Sequence, residues 1–79
     1  MEPLEIKIAL MRAEIRQADI ARACQVSTAA IARVINGQAT SDRIQRMIAK
    51  ALGQRVEAVF PERYPGKRRA DRVLEQLVG

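Results

Sequence analysis

Residues 17–36, QADIARACQVSTAAIARVIN, decide the fold. They read as two short helices joined by a tight turn, and each position that such a unit constrains holds a residue that meets the constraint. Ile20 points inward from the first helix. Ala21 falls where the two helices approach most closely, and a methyl group is about the largest side chain such a crossing admits. Cys24 closes the first helix on its buried side, and Val26 plugs the turn. Ile31 and Val34, three apart, bring the apolar stripe of the second helix onto the same core. Ser27 stands where a helix N-cap is wanted, its hydroxyl able to satisfy an orphan N–H of the next turn, and so fixes where the second helix begins.

With these residues in these places the chain resembles the helix-turn-helix DNA-binding proteins of the Cro and lambda-repressor type. The likeness covers the motif and, more loosely, residues 4–64. Residues 35–64, INGQATSDRIQRMIAKALGQRVEAVFPERY, are similar to the end of small Ner-like phage and prophage regulators: a helix runs into an ALG turn, then a short segment closes on an aromatic-Pro and an RY pair. The sequence departs from the family at Gln25, where the turn most often carries Gly. If the backbone there is left-handed, a non-glycine residue is strained by roughly 1 kcal/mol.

Outward from the motif, the pattern is helical throughout. Leu4, Ile8, Met11 and Ile15, at spacings of four, three and four, predict one face of a helix over residues 4–16, with Ile6 and Leu10 widening the stripe. Pro3 suits an opening position, where its missing N–H costs nothing. After Asn36, GQATS is a loop in which Gly37 can end the second motif helix. Ser41 or Thr40 then caps a further helix with Ile44, Met47, Ile48, Ala51 and Leu52 on its apolar face, ended by Gly53. Val56, Val59 and Phe60 face inward from one more short turn before Pro61 breaks the run. Phe60 reads as a core plug rather than a base-stacking aromatic.

From Pro65 the character changes. PGKRR is turn-forming and basic, and ADRVLEQLVG returns to helical alternation with Val73, Leu74, Leu77 and Val78 clustered. The expected architecture is all-α: a compact four- to five-helix bundle around a central helix-turn-helix, plus a C-terminal helix. Residues 1–64 form the DNA-binding domain, and residues 65–79 form a basic linker and an amphipathic helix. A lone helix this short is marginal in water, so its apolar face must dock on its own domain or on a second copy. Pairing with a second copy is slightly favoured, because DNA readers of this kind usually work as twofold dimers.

Composition narrows the function. Seventy-nine residues suit one domain, and with Phe60 and Tyr64 the sole aromatics the core must come from aliphatic side chains on helices. Fourteen Lys and Arg against nine Asp and Glu give a net charge of +5, which favours a polyanionic partner. No run approaches the roughly 18 apolar residues of a membrane span. The start MEPLEIK lacks the pattern of a signal peptide, so a cytoplasmic, nucleoid-associated protein is expected. The single Cys24 agrees with a reducing compartment and reads as a buried structural thiol. Histidine is absent, which removes the commonest general base and metal ligand together with every Ser/His or Cys/His dyad. Paired carboxylates have no signature either, so no catalysis and no cofactor are expected.

With Ser27 as N-cap, Thr28, Ala29, Ala32, Arg33 and Asn36 lie on the face opposite Ile31, Val34 and Ile35, and they form the candidate reading face. Arg33 has the fork geometry to contact guanine O6 and N7 together, or to clamp a phosphate. Asn36 can present its amide to adenine or to the backbone. Ala29 and Ala32 let the helix sit deep and touch thymine methyls. Ser27 and Thr28 can bond to phosphate or base at the positive helix N-terminus. For Gln17 the resemblance implies a phosphate contact that sets register. Arg43 is a second phosphate candidate, whereas Arg46 and Lys50 read as solvated. Lys67, Arg68 and Arg69 can reach the backbone or minor groove, or serve as a solubilising linker. The partners expected are an operator in double-stranded DNA and a second copy of the chain. Neither a membrane nor a small-molecule ligand is expected, and the mechanism is repression by occupancy of a promoter. Two alternatives stay open: an antitoxin-type autorepressor that grips a toxin through its tail, and a protein-interaction module without DNA binding.

Overall fold

A computed structural model describes residues 1–64; the linker and C-terminal helix expected over 65–79 lie outside the described residues. Five helices follow in order: α1 Pro3–Arg12, α2 Gln17–Cys24, α3 Thr28–Ile35, α4 Asp42–Ala51 and the one-turn α5 Val56–Val59. No strand occurs among the described residues. The all-α expectation therefore holds, and the helix starts follow the chemistry read from the sequence. Pro3 opens α1. Ser27 caps α3 by accepting from Ala30 N–H at 3.2 Å. Ser41, not Thr40, caps α4, accepting from Ile44 N–H at 3.4 Å. Acidic side chains close two further N-termini: Glu5 accepts from Glu2 N–H at 3.1 Å and Asp19 from Arg16 N–H at 2.9 Å.

The ends of α1 to α4 share one device. After α3, Gly37 N–H bonds to Val34 C=O at 3.2 Å and Gln38 N–H to Arg33 C=O at 2.8 Å. After α4, Gly53 N–H bonds to Lys50 C=O and Gln54 N–H to Ala49 C=O. This paired pattern is the Schellman motif, whose central residue must be left-handed. Gly37 and Gly53 have φ of 76° and 66°. Helices α1 and α2 end in the same way without glycine. Glu14 and Gln25, each at φ 58°, hold the central position, with Ile15 N–H bonded to Leu10 C=O and Val26 N–H to Ala21 C=O.

The core gathers Ile6 and Leu10 of α1, Ile20, Ala21 and Cys24 of α2, Ile31, Val34 and Ile35 of α3, and Ile44, Ile48 and Ala49 of α4, closed by Val56 and Val59. Every inward position assigned to the motif is buried except Val26, which is half-buried against the core. The thiol of Cys24 is fully buried and unpaired. Phe60 packs against the core, as a plug should.

Helix α1 departs from the expectation in two ways. It ends at Arg12 instead of reaching residue 16, because the left-handed Glu14 turns the chain. Its core face is Ile6 and Leu10, while Leu4, Ile8 and Met11 are 67, 39 and 72% exposed. The helix is apolar on two opposite faces, and periodicity alone took the wrong one as the stripe. Ile15 lies in the following loop, half-buried. On α4 the expected face is broader than the burial: Met47, Ala51 and Leu52 are half-buried, and the deep positions include Ala49 and Gln45. Gln45 is 3% exposed and its Oε1 has no protein hydrogen-bond donor among the described residues.

Candidate nucleic-acid interface

Helices α2 and α3 make the principal packing contact of the fold, with Ala21 at 4% exposure between them. The small side chain sets the approach of the two axes, and the burial of Ile31, Val34 and Ile35 sets the rotation of α3. Rotation decides what α3 shows to the outside. Thr28, Ala29, Arg33 and Asn36 are exposed and Ala32 is half-exposed, so the five candidate residues share one outward face. Ser27, also exposed, sits at the head of that face with its hydroxyl engaged as the cap. Gln17 is half-buried at the first position of α2. Among the described residues Arg33 enters none of the ion pairs, which leaves its guanidinium available. Arg22, on α2, is instead tied to Asp19 at 2.7 Å.

Arg43 is held by the protein. Its guanidinium donates to the carbonyl oxygen of Cys24 at 2.6 Å, linking the first turn of α4 to the last of α2. The bond satisfies a carbonyl at a helix C-terminus, where a cation also meets the negative end of the helix dipole. The side chain remains exposed beside the motif turn. Sequence spacing gave no signal for this contact, because it joins residues 19 apart.

Arg46, read as solvated, is engaged as well. Its Nε donates to Asp42 at 2.9 Å, and its guanidinium lies 5.1 Å from the centre of the Tyr64 ring. The Tyr64 hydroxyl donates to the other oxygen of Asp42. That bond is the main cause holding the Asp42 carboxyl below its ordinary value of 3.8, with Arg46 contributing next. The same bond, ahead of desolvation, raises the Tyr64 phenol above 10.0. The i,i+4 spacing of Asp42 and Arg46 was a readable signal for the pair. The cluster fastens Tyr64 to the start of α4.

No group of three or more His, Cys, Asp or Glu able to hold a metal ion occurs among the described residues. No described helix is long and apolar enough to cross a membrane. What the fold offers is an outward helix face of mostly small side chains with one arginine that enters no ion pair among the described residues.

The family model described as winged helix-turn-helix DNA-binding matches residues 1–75. The chain belongs to that family. In this winged helix-turn-helix protein the described residues supply the helix-turn-helix and no β-hairpin wing. No curated protein and no solved structure gives a significant match.

Proposed function

We propose that this winged helix-turn-helix protein is a sequence-specific transcriptional regulator of the phage repressor type, related to the Cro and Ner-like group. It binds double-stranded DNA as a dimer at an operator and excludes polymerase from an overlapping promoter. The observation that carries the reading is the outward face of α3: Thr28, Ala29, Ala32, Arg33 and Asn36 turned away from a core that fixes the helix rigidly. The two alanines allow a close approach of the helix to the floor of the major groove, and Arg33 supplies a bidentate donor for guanine. Gln17, Ser27 and Thr28 lie at helix N-termini, where phosphate oxygens are favoured, and Arg43 adds a cation beside the turn. The net charge of +5 supplies the sequence-independent attraction.

Titration against DNA from upstream of the protein's own gene and against an unrelated duplex, at about 50 and 200 mM salt, tests this. Binding to the upstream DNA that survives the higher salt is the expected result. Equal binding to both duplexes, erased at the higher salt, would reduce the protein to a basic module that docks on something other than an operator.

A further inference from the structure

Leu4, Ile8 and Met11 stand on α1 directly opposite the buried pair Ile6 and Leu10, and they are the large apolar side chains exposed among the described residues. Singly exposed aliphatics need no explanation, but three at i, i+4 and i+7 form a continuous stripe. We infer that the stripe is the docking site of the chain's own C-terminal segment, residues 70–78.

Three observations select this occupant. The described chain ends beside α1: Phe60 to Arg63 line one cleft with Glu2 and Pro3, and the N-terminal amine donates to the Val59 carbonyl at 2.8 Å. Fifteen residues follow Tyr64. The nine steps from Tyr64 to Val73 reach about 30 Å when extended. Helix α1 is only about 15 Å long and about 10 to 12 Å across, so the segment can pass around it to the far side. The second observation is the pattern of the segment itself. Ala70, Val73, Leu74, Leu77 and Val78 fall at helical spacings on one side, with Asp71, Arg72, Glu75 and Gln76 on the other. Such a face is unstable unless covered, and the α1 stripe holds the exposed large hydrophobics among the described residues. The third is size. A stable dimer needs roughly 800 Å² from each partner, far more than three side chains present, whereas a tethered segment docks at an effective concentration in the millimolar range. The sequence alone slightly favoured a second copy as the partner of this segment; the exposed stripe beside its point of departure reverses that preference. Dimerisation on an operator then uses another surface.

The test is methyl NOE spectroscopy and amide hydrogen exchange on the full chain, with a mixed sample of differently labelled chains to separate contacts within one chain from contacts between two. Expected are cross-peaks from the methyl groups of Leu4, Ile8 and Met11 to those of Val73, Leu74 and Leu77, with protected amides over 73–78. Ile8→Lys and Leu77→Lys should each lower that protection by about tenfold or more while leaving Ile31 and Val34 protected. Leu77→Lys covers the case in which Ile8→Lys disturbs α1. Absent cross-peaks, unprotected amides over 73–78, or protection untouched by both variants would overturn the inference. So would cross-peaks found only between differently labelled chains, which would make a second copy the occupant.

Discussion

Two arginines that look alike in the sequence are held differently by the fold, and their substitution tests the reading role proposed for one against the scaffolding role of the other. Arg33 projects from α3 without an ion-pair partner among the described residues, so its removal costs the folded protein almost nothing. Arg33→Ala should weaken binding to the cognate duplex by about 1 to 3 kcal/mol, roughly 5- to 150-fold, with the thermal midpoint unchanged. Arg43 bridges to the Cys24 carbonyl. The group is exposed, so the loss of its charge-assisted bond should be about 1 kcal/mol, below the range for buried cases. Arg43→Ala should therefore lower the thermal midpoint and reduce affinity for cognate and unrelated DNA alike. Paired melting curves and binding titrations of the two variants check both statements. A stability loss in Arg33→Ala, or cognate-only weakening in Arg43→Ala, would exchange the roles assigned here.

Helix ends and crossings were legible in the sequence where a single residue type answers a single geometric demand. Ser27, Gly37, Gly53 and Ala21 are such residues, and the fold uses each as read. Gln25 was readable as a position under strain, and it is left-handed at φ 58°, ψ 44°. Helix α1 was harder because Leu4, Ile8 and Met11 repeat with the same period as Ile6 and Leu10. Which stripe turns inward depends on α3, which packs against it. The four Schellman endings give this a quantitative test. Glycine already occupies two of them, so Gln25→Gly removes left-handed strain at the cost of added unfolded-state entropy. The net gain should be about 0.5 kcal/mol, or about 2 to 4 °C in thermal midpoint. Glu14→Gly should act the same way after α1. Ala21→Leu should do the reverse, losing about 1 to 3 kcal/mol by forcing α2 and α3 apart. A neutral Ala21→Leu in denaturant unfolding would mean that the motif helices do not depend on that close approach.

At the scale of the whole molecule, the domain is tied together by a contact that joins its last described residue to the middle of the chain. Tyr64 donates to Asp42, Arg46 bonds the same carboxylate, and its guanidinium lies over the Tyr64 ring. The outward face of α3 was legible because the core residues of that helix dictate which residues are left outside. This tie was not, since a separation of 22 residues leaves no periodic trace. Its chemistry makes it pH-dependent at both ends. A carboxyl whose folded pKa lies below the unfolded one stabilises the fold at every pH above the unfolded value, and the contribution fades as pH falls through the folded pKa. Asp42 is of this kind, lowered from 3.8 chiefly by the Tyr64 hydrogen bond. Tyr64 is the mirror case. Its phenol is raised above 10.0 by the same bond, so the contribution is complete below that pH and lost as the phenol ionises. Tyr64→Phe should therefore melt below the parent protein by a constant margin from about pH 5 to pH 9. The margin should narrow as pH falls below the ordinary carboxyl value and again as it rises beyond the ordinary phenol value. Melting curves of both proteins across that range decide the matter. A margin that stays flat through the acid limb would mean that Tyr64 stabilises the fold by packing on Arg46 and the core, and that its bond to Asp42 contributes nothing.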